Sequence, residues 1–260
     1  MNAELQTTSL PYHATPLRYF EALRSRPGAV LLDSGRPQAP GGRFDILSSD
    51  PIEWLEVDQH GQPRDSSGTA LDGCAFDAQQ RLLERLPRPC QELELPFVGG
   101  LIGFWSYDLG RQLARIEGPS RSATALPQAR LGLYDWALIQ DHQERRCHLV
   151  ASPERRKQVQ AWLATQTPAG DFSLSSVFTS NLTEADYRDR FARVQDYIHA
   201  GDCYQINLAQ RYSADYQGDL WQAYLRLRDA TPTPFAGFMA WHRAGREQAL
   251  LSLSPERFIE

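Results

Sequence analysis

The chain has 260 residues, of which 42% are hydrophobic and 23% charged, and this composition excludes a mainly disordered protein. Lysine and arginine number 27 against 32 aspartate and glutamate residues, so the formal net charge is −5. This balance excludes a general cationic surface for nucleic acid. The length fits one large or two small globular domains.

The predicted elements of the first part of the chain are, in order, a helix over 15–26, strands over 29–33 and 44–50, a strand from residue 54, and a helix capped by Asp77. Thr15 and Pro16 supply the start signal of the first helix. Glycine and proline are frequent between the two strands, which indicates a loop there. Together these elements predict a sheet with helices packed on it.

The next elements are an apolar strand over 99–110, a hairpin over 131–152 that turns near 143–144, and a charged helix over 154–166. Residues 167–181 then have the serine, threonine, glycine and proline content of a connector. We therefore predict one domain over 1–166, a connector over 167–181 and an incomplete second domain over 182–260.

The second predicted domain begins with a clear helix signal. Thr183 and Asp186 form a capping-box pattern, apolar residues follow at helical spacing, and Gly201 ends the helix predicted over 184–200. The further predicted elements are a strand over 203–216, a helix over 219–230, and strands over 235–243 and 248–260. The chain stops inside an apolar strand pattern, so we expect a truncated polypeptide.

The start of the chain lacks the basic and apolar segments of a secretory signal, and no apolar run approaches the roughly 18 residues of a membrane span. The four cysteines, Cys74, Cys90, Cys147 and Cys203, have no spacing typical of a zinc site or a disulfide framework. We expect a cytoplasmic protein.

The segment Ser254-Pro255-Glu256-Arg257 is a candidate for chemistry. A proline after an apolar run interrupts a strand and leaves a carboxylate at its end. Such an acid can donate a proton when its surroundings raise its pKa towards neutral pH. The simpler interpretation is an ion pair between Glu256 and Arg257, and the residues alone favour it.

The loop after Ser34 is a candidate binding site. It combines a hydroxyl, backbone amides freed by glycine, and the guanidinium and ring of Arg43-Phe44. These groups suit a small zwitterion with an aromatic side chain, because its carboxylate needs donors and its ring needs an apolar wall. The residues alone favour the alternative, an ordinary surface loop between two strands.

The stretches GDCYQINLAQRY (201–212) and LSLSPERFI (251–259) resemble the chorismate-utilising enzymes, a family that includes aminodeoxychorismate synthase component I and anthranilate synthase. The resemblance extends through LLDSG (31–35), GGRFDILSSDP (41–51) and GGLIGFWSYDLGR (99–111), and it covers nearly the whole chain. The CYQINLAQR segment favours the aminodeoxychorismate branch.

The resemblance implies an α+β fold in which two large β-sheets pack against each other with helices outside. It implies an enzyme component that replaces the C4 hydroxyl of chorismate with ammonia from a glutamine amidotransferase subunit, in the route to 4-aminobenzoate and folate. Glu256 matches the family's proton donor to the departing hydroxyl. The family's PIKGT lysine and its acidic Mg²⁺ ligands are expected beyond residue 260, so we expect the chain alone to be inactive.

The resemblance also implies a tryptophan pocket, formed by Ser34, Gly41, Gly42, Arg43, Phe44, Pro234, Phe235 and Ala236. Gly41 departs from the family, in which a larger side chain is common, and this leaves the tightness of binding open. The alternatives are an anthranilate or isochorismate-type synthase and, from another class, a non-catalytic module that binds tryptophan.

Overall fold

The computed structural model describes residues 5–86, 94–114, 116, 126–165, 167–168, 170–243 and 245–257. The chain forms two compact units: unit 1 comprises residues 1–168 and 224–260, and unit 2 comprises residues 169–223. The first boundary falls at the start of the predicted connector, and the second lies within a helix. The predicted domains over 1–166 and 182–260 remain a prediction.

The helices are α1 (Leu17–Leu23), α2 (Ala75–Leu83), α3 (Gly110–Leu113), α4 (Pro153–Leu163), α5 (Glu184–Ala200) and α6 (Leu220–Ala230), with a 3₁₀ turn at Tyr107–Leu109. The strands are β1 (Gln6–Leu10), β2 (Val30–Asp33), β3 (Phe44–Ser48), β4 (Glu53–Val57), β5 (Pro63–Arg64), β6 (Gly100–Trp105), β7 (Ala129–Tyr134), β8 (Ala137–Asp141), β9 (Arg146–Ala151), β10 (Phe172–Leu174), β11 (Thr179–Ser180), β12 (Tyr212–Ser213), β13 (Tyr216–Gly218), β14 (Phe235–Arg243) and β15 (Arg246–Ser254). These bounds refer to the described residues.

Unit 1 is built on a seven-stranded sheet with the order β1-β9-β8-β3-β2-β14-β15. All neighbouring strands in it run antiparallel. The short apolar strand β2 lies in its interior, between β3 and β14, as its hydrophobic composition favours. The end of β2 therefore lies beside the start of β14, which comes from a distant part of the sequence.

A second sheet of four strands, in the order β5-β4-β7-β6, packs against the first. The core between them joins Val30 and Met239 of the large sheet to Ile102 and Tyr134 of the small one, all of them buried. Burial of apolar side chains between two sheet faces is the main stabilising contribution of such a sandwich. The predicted α+β fold with two packed sheets is confirmed.

Helices cover the other face of the large sheet. The ring of Phe20 in α1 lies 5.7 Å from that of Phe238 in β14, and the ring of Tyr224 in α6 lies 5.5 Å from the same residue. Aromatic pairs at these centroid distances add to the stability supplied by burial. α6 is thereby fixed against the strand that follows it in the sequence.

Most elements predicted for unit 1 are confirmed, with corrections. The strand predicted over 99–110 ends at Trp105 and is followed by the 3₁₀ turn at Tyr107–Leu109. The strand predicted over 248–260 is β15, which ends at Ser254, and residues 258–260 lie outside the described part of the chain.

The segment predicted as one strand of a hairpin, 131–141, divides at Asp135 and Trp136, so that β7 belongs to the small sheet and β8 to the large one. Asp77 lies inside α2 rather than before it: Cys74 is the N-cap, and the Asp77 carboxylate accepts a bond from the Cys74 backbone nitrogen at 3.2 Å. This is the reciprocal half of a capping box.

In unit 2 the predicted helix over 184–200 is confirmed, with the Thr183 and Asp186 capping box and a left-handed Gly201 at its end. The strand predicted over 203–216 is wrong for most of its length. Residues 203–211 lie outside any strand, and β12 and β13 are short. An alternating pattern forms a strand only where a neighbouring strand supplies hydrogen bonds.

No helix in the described part of the chain is long and apolar enough to cross a membrane.

Candidate functional site

The structure brings the two segments of the predicted tryptophan pocket together where β2 ends and β14 begins. Asp33, at the end of β2, lies opposite Ala236 in β14. A Cβ on Gly42 would lie 2.4 Å from the Ser34 Cβ, and one on Gly35 would lie 2.3 Å from the Thr233 carbonyl oxygen. Only glycine fits such close approaches, so both glycines are needed for this arrangement.

Ser34 is buried and bound by Asp45, which is fully buried in β3. The Ser34 backbone nitrogen donates to Asp45 Oδ1 at 2.8 Å, and its hydroxyl donates to the same oxygen at 2.6 Å. On the other side, Asp45 Oδ2 lies 2.6 Å from His142 Nε2, and His142 Nδ1 lies 2.8 Å from the Tyr12 hydroxyl. The Ser34 oxygen keeps its lone pairs, so it can accept a hydrogen bond from a ligand.

A second buried carboxylate, Asp33, lies next to Ser34 and is bound from α6. Arg228 Nε donates to Asp33 Oδ2 at 2.6 Å, and Arg228 Nη2 donates to Oδ1 at 3.1 Å. The Tyr224 hydroxyl donates to Oδ2 at 2.7 Å, and the Gly35 backbone nitrogen donates to Oδ1 at 2.7 Å. Asp33 is thus a buried charge whose oxygens are all bonded, as burial of a carboxylate requires.

The pKa values of the two α6 side chains are shifted in the direction that preserves this arrangement. Burial raises the pKa of Tyr224 above its usual value, and the adjacent Asp33 carboxylate raises it further. Burial lowers the pKa of Arg228, but the hydrogen bonds and charge of Asp33 outweigh that effect and raise it overall. Tyr224 therefore stays a neutral donor and Arg228 a cation.

Arg43 is paired with a protein carboxylate. Its Nη2 donates to Asp141 Oδ2 at 2.8 Å, and its guanidinium carbon lies 4.5 Å from the centre of the Phe44 ring. Burial alone would raise the pKa of Asp141, but the bonds from Arg43 and from two backbone nitrogens outweigh it and lower that pKa. The guanidinium expected to meet a ligand carboxylate is therefore already engaged with Asp141.

Phe44 and Gly41 meet the expected requirements of a ring wall and an open backbone. Phe44 is half-buried and packs against a cluster of Ala137, Ile139 and Val150. Gly41 has a φ of +106°, and a Cβ there would have no described neighbour within 4 Å. The backbone at Gly41 is therefore approachable, in contrast to the crowded Gly42.

The predicted proton donor, Glu256, follows the end of β15. Ser254 lies opposite Phe235, and its hydroxyl donates to the Glu256 carbonyl oxygen at 2.6 Å. The Glu256 side chain is exposed, and the guanidinium of Arg257 lies over the Phe235 ring at 5.4 Å. Phe235 thus connects the predicted tryptophan pocket to the segment that carries Glu256.

Sequence reasoning missed four residues of this site: Asp33, Asp45, His142 and Arg228. The two aspartates had a usable signal, since each is a carboxylate within or at the end of an apolar strand and a buried charge needs partners. Arg228 and His142 had none, because a charged residue on an amphipathic helix or in a hairpin turn is ordinarily solvated.

Among the described residues, no group of three or more histidine, cysteine, aspartate or glutamate side chains is placed to hold a metal ion. The described residues therefore do not form a Mg²⁺ site. The acidic ligands that the resemblance implies are expected beyond residue 260.

Comparison with known proteins identifies the family of the chain. The sequence profile of the family described as chorismate binding enzyme matches residues 29–260. Aminodeoxychorismate synthase component 1 of Escherichia coli (strain K12) is 40% identical over 246 residues, covering 93% of this chain and 53% of that protein. The protein of the same name from Klebsiella aerogenes is 39% identical over 260 residues, covering 97% of this chain and 56% of that protein.

Anthranilate synthase component 1 of Lactococcus lactis is 22% identical over 259 residues, covering 94% of this chain and 56% of that protein. The crystal structure of anthranilate synthase component I from Streptococcus pneumoniae TIGR4 matches with a TM-score of 0.64 and 22% identity, over 77% of this chain and 50% of that one, and supports the fold. The chain spans about half the length of these relatives. On the match of the family profile over 29–260, the chain belongs to the chorismate binding enzyme family.

Proposed function

We propose that the chain is the N-terminal part of component I of an aminodeoxychorismate synthase. The observation that carries this proposal is the identity of 40% and 39% to the aminodeoxychorismate synthase components 1 of Escherichia coli and Klebsiella aerogenes, over 93% and 97% of this chain. A cytoplasmic heterodimer with a glutaminase subunit, a requirement for Mg²⁺, and a role in making 4-aminobenzoate and folate belong to the same proposal.

In the proposed reaction, chorismate and ammonia give 4-amino-4-deoxychorismate and water. The C4–O bond breaks and a C4–N bond forms, and the oxygen leaves as water after taking a proton from Glu256. Hydroxide is a poor leaving group at neutral pH, so this proton transfer supplies a large part of the rate. The proton that the incoming ammonia loses restores the acid. The described residues leave Glu256 exposed after β15, so this role requires the substrate or the expected remainder of the protein to enclose the acid.

The test is a chimaera in which residues 1–260 are followed by the remaining half of the Escherichia coli relative. We expect it to form 4-amino-4-deoxychorismate from chorismate, ammonia and Mg²⁺, and we expect Glu256→Gln to lower kcat by at least about 100-fold. Glu247→Gln is the matched control, since Glu247 is an exposed carboxylate in β15, the strand that Glu256 follows. Full activity of the Glu256→Gln chimaera would contradict the role of the acid, and anthranilate as the product would contradict the branch.

We also expect the 260-residue chain on its own to give no aminated product, because the family's lysine lies outside it. Product from the purified chain with chorismate, ammonia and Mg²⁺ would contradict this expectation. The measurement is chromatography of the reaction mixture against authentic 4-amino-4-deoxychorismate.

We propose a second property for this chain, that L-tryptophan binds at Ser34. It is supported by the meeting of the Ser34 loop with residues 233–236, by the apolar ring of Phe44 and by the open backbone at Gly41. A ligand that binds the folded state raises the melting temperature by mass action. We expect millimolar L-tryptophan to raise it and L-alanine, which lacks the ring, not to. A non-catalytic binding module would show this effect while the chimaera stayed inactive.

A further inference from the structure

Arg228 connects two segments that are distant in sequence. It lies near the end of α6 and donates to both oxygens of Asp33 at the end of β2. The same guanidinium reaches the loop that follows, since Nη1 donates to Gln38 Oε1 at 3.2 Å and Nη2 donates to the Arg36 carbonyl oxygen. One buried side chain therefore contacts both the strand before Ser34 and the loop after it.

The loop is closed on itself by further bonds. The Arg36 side chain donates from Nε to the Gly42 carbonyl oxygen at 3.0 Å, and the Ala39 backbone nitrogen donates to the Gly35 carbonyl oxygen at 2.8 Å. The path from Arg228 to the Arg36 backbone continues through the Arg36 side chain to Gly42, whose α-carbon lies against Ser34. Arg228 thus acts on both ends of the loop between Gly35 and Gly42.

The position of Arg228 also fixes the other wall. α6 ends at Ala230, and residues 231–234 lead directly into β14 and its start at Phe235. Because Arg228 is bonded to Asp33 and the loop, the segment 233–236 is held at the same place as Ser34. A buried ion pair adds little net stability but fixes one geometry.

We propose that Arg228 is a positioning residue for the Ser34 site, holding the loop 35–42 in the conformation that a ligand requires without contacting the ligand. This inference rests on the proposed tryptophan site. When the loop already has its bound conformation, ligand binding does not have to supply the free energy of ordering the loop. We therefore expect loss of Arg228 to reduce the affinity for the ligand more than it reduces the stability of the surrounding fold. Lysine cannot replace Arg228, because an ammonium lacks the planar fork that contacts both Asp33 and the loop.

The experiment compares three variants of the 260-residue chain. Arg228→Lys keeps the charge and loses the fork. Gln38→Ala removes one loop contact of Arg228 at an exposed residue, and therefore keeps the inference testable where Arg228→Lys does not fold. Tyr224→Phe is the matched control, since it removes a bond to Asp33 while leaving every bond of Arg228 in place.

Two quantities are measured for each variant: the Kd of L-tryptophan by calorimetry, and hydrogen exchange of the backbone amides over 35–42 without ligand. We expect Arg228→Lys to raise Kd by about tenfold and Gln38→Ala by about threefold, with faster exchange in the loop. Tyr224→Phe is expected to lower the melting temperature and to change both quantities less than Arg228→Lys does, because every bond of Arg228 remains in place. If Arg228 had a merely structural role, Kd and loop exchange would change in all three variants in proportion to the loss in melting temperature.

An unchanged Kd and loop exchange in Arg228→Lys would overturn the inference, and so would equal changes in Tyr224→Phe. When the wild type binds no L-tryptophan, the proposed tryptophan site fails, and loop exchange alone decides on Arg228. Faster exchange over 35–42 in Arg228→Lys and not in Tyr224→Phe then supports the positioning role, and the same exchange in both overturns it.

Discussion

Both compact units contain segments that resemble the chorismate-utilising family, but the burial and bonding of these segments differ between the units. In unit 1, Ser34 and its neighbours are buried and bonded to residues from distant strands and from α6. In unit 2, residues 203–211 lie outside any strand, Tyr204 is fully exposed, and α5 contains no buried residue. Local sequence signals operate in both units. The residues around Ser34 are buried among tertiary partners of unit 1, whereas the segment 203–211 of unit 2 is largely exposed and is bonded to Asn181 at its end.

This comparison predicts that the largest effect of a single conservative change falls on Asp45. Asp45→Asn weakens the bonds to Ser34 and His142 in a fully buried place, so we expect the free energy of unfolding to fall by about 3 kcal/mol. Urea denaturation followed by tryptophan fluorescence measures it. Asp229→Asn, at an exposed carboxylate of α6, is the control and should change it by less than about 0.5 kcal/mol. An equal fall in the free energy of unfolding in the two variants would contradict a stabilising role for the bonds of Asp45 to Ser34 and His142.

Gly42→Ala tests the close approach to Ser34. Because the new Cβ would lie 2.4 Å from the Ser34 Cβ, the loop must shift, and we expect a loss of about 1–3 kcal/mol in stability together with weaker binding of L-tryptophan. Gly110→Ala provides the matched control, since a Cβ there would meet nothing within 4 Å. Wild-type stability and affinity in Gly42→Ala would show that the loop does not depend on this contact.

A pair of helix caps compares the units directly. Thr183 caps α5 in unit 2 and Ser152 caps α4 in unit 1, each through its side-chain oxygen. Loss of a cap costs about 1 kcal/mol, which corresponds to roughly fivefold faster amide exchange in a helix that depends on it. We expect this change in the first turn of α5 in Thr183→Ala, and a smaller one in α4 in Ser152→Ala, because the sheet-packed α4 buries Val159. Similar changes in both helices would contradict the difference between the units.

The smallest predicted effect is the contribution of Asp141 to the loss of stability at low pH. The pKa of Asp141 is lower in the folded chain than in the unfolded one, so the unfolded chain binds more protons between the two values. The contribution of Asp141 is present above its unfolded pKa of about 3.9 and is lost as pH falls through the folded value. We expect Asp141→Asn to flatten the fall in stability below about pH 4 by less than about 1 kcal/mol, since Arg43 is half-exposed. Parallel pH curves for wild type and variant would contradict it.

Sequence predicts the elements of this fold where the signal is local. The Thr183 and Asp186 cap and Gly201 lie next to the helix that they begin and end, and this helix is confirmed. The division of 131–141 between two sheets could not be predicted, because the composition of β7 and β8 is equally apolar and the choice of sheet depends on distant partners.

The sequence predicts the candidate site only in part, because local signals do not show which distant residues bond to it. Ser34, the glycine loop and residues 234–236 are predicted from the resemblance, and the structure brings their segments together. The bonds that hold them join residues up to 195 positions apart, as between Asp33 and Arg228. Such pairs leave no periodicity or spacing in the sequence, so only the folded chain reveals them.

The chain passes directly from β7 in the small sheet to β8 in the large sheet, and this connection couples the unfolding of the two sheets. At this passage the Tyr134 hydroxyl donates to the Gly28 carbonyl oxygen and Trp136 Nε1 donates to the Ser49 carbonyl oxygen, each at 2.8 Å. One continuous segment of backbone therefore belongs to both sheets. Separating the sheets would break these hydrogen bonds and expose side chains that are buried between them. Unit 1 should therefore denature as one body, with calorimetric and van't Hoff enthalpies that coincide.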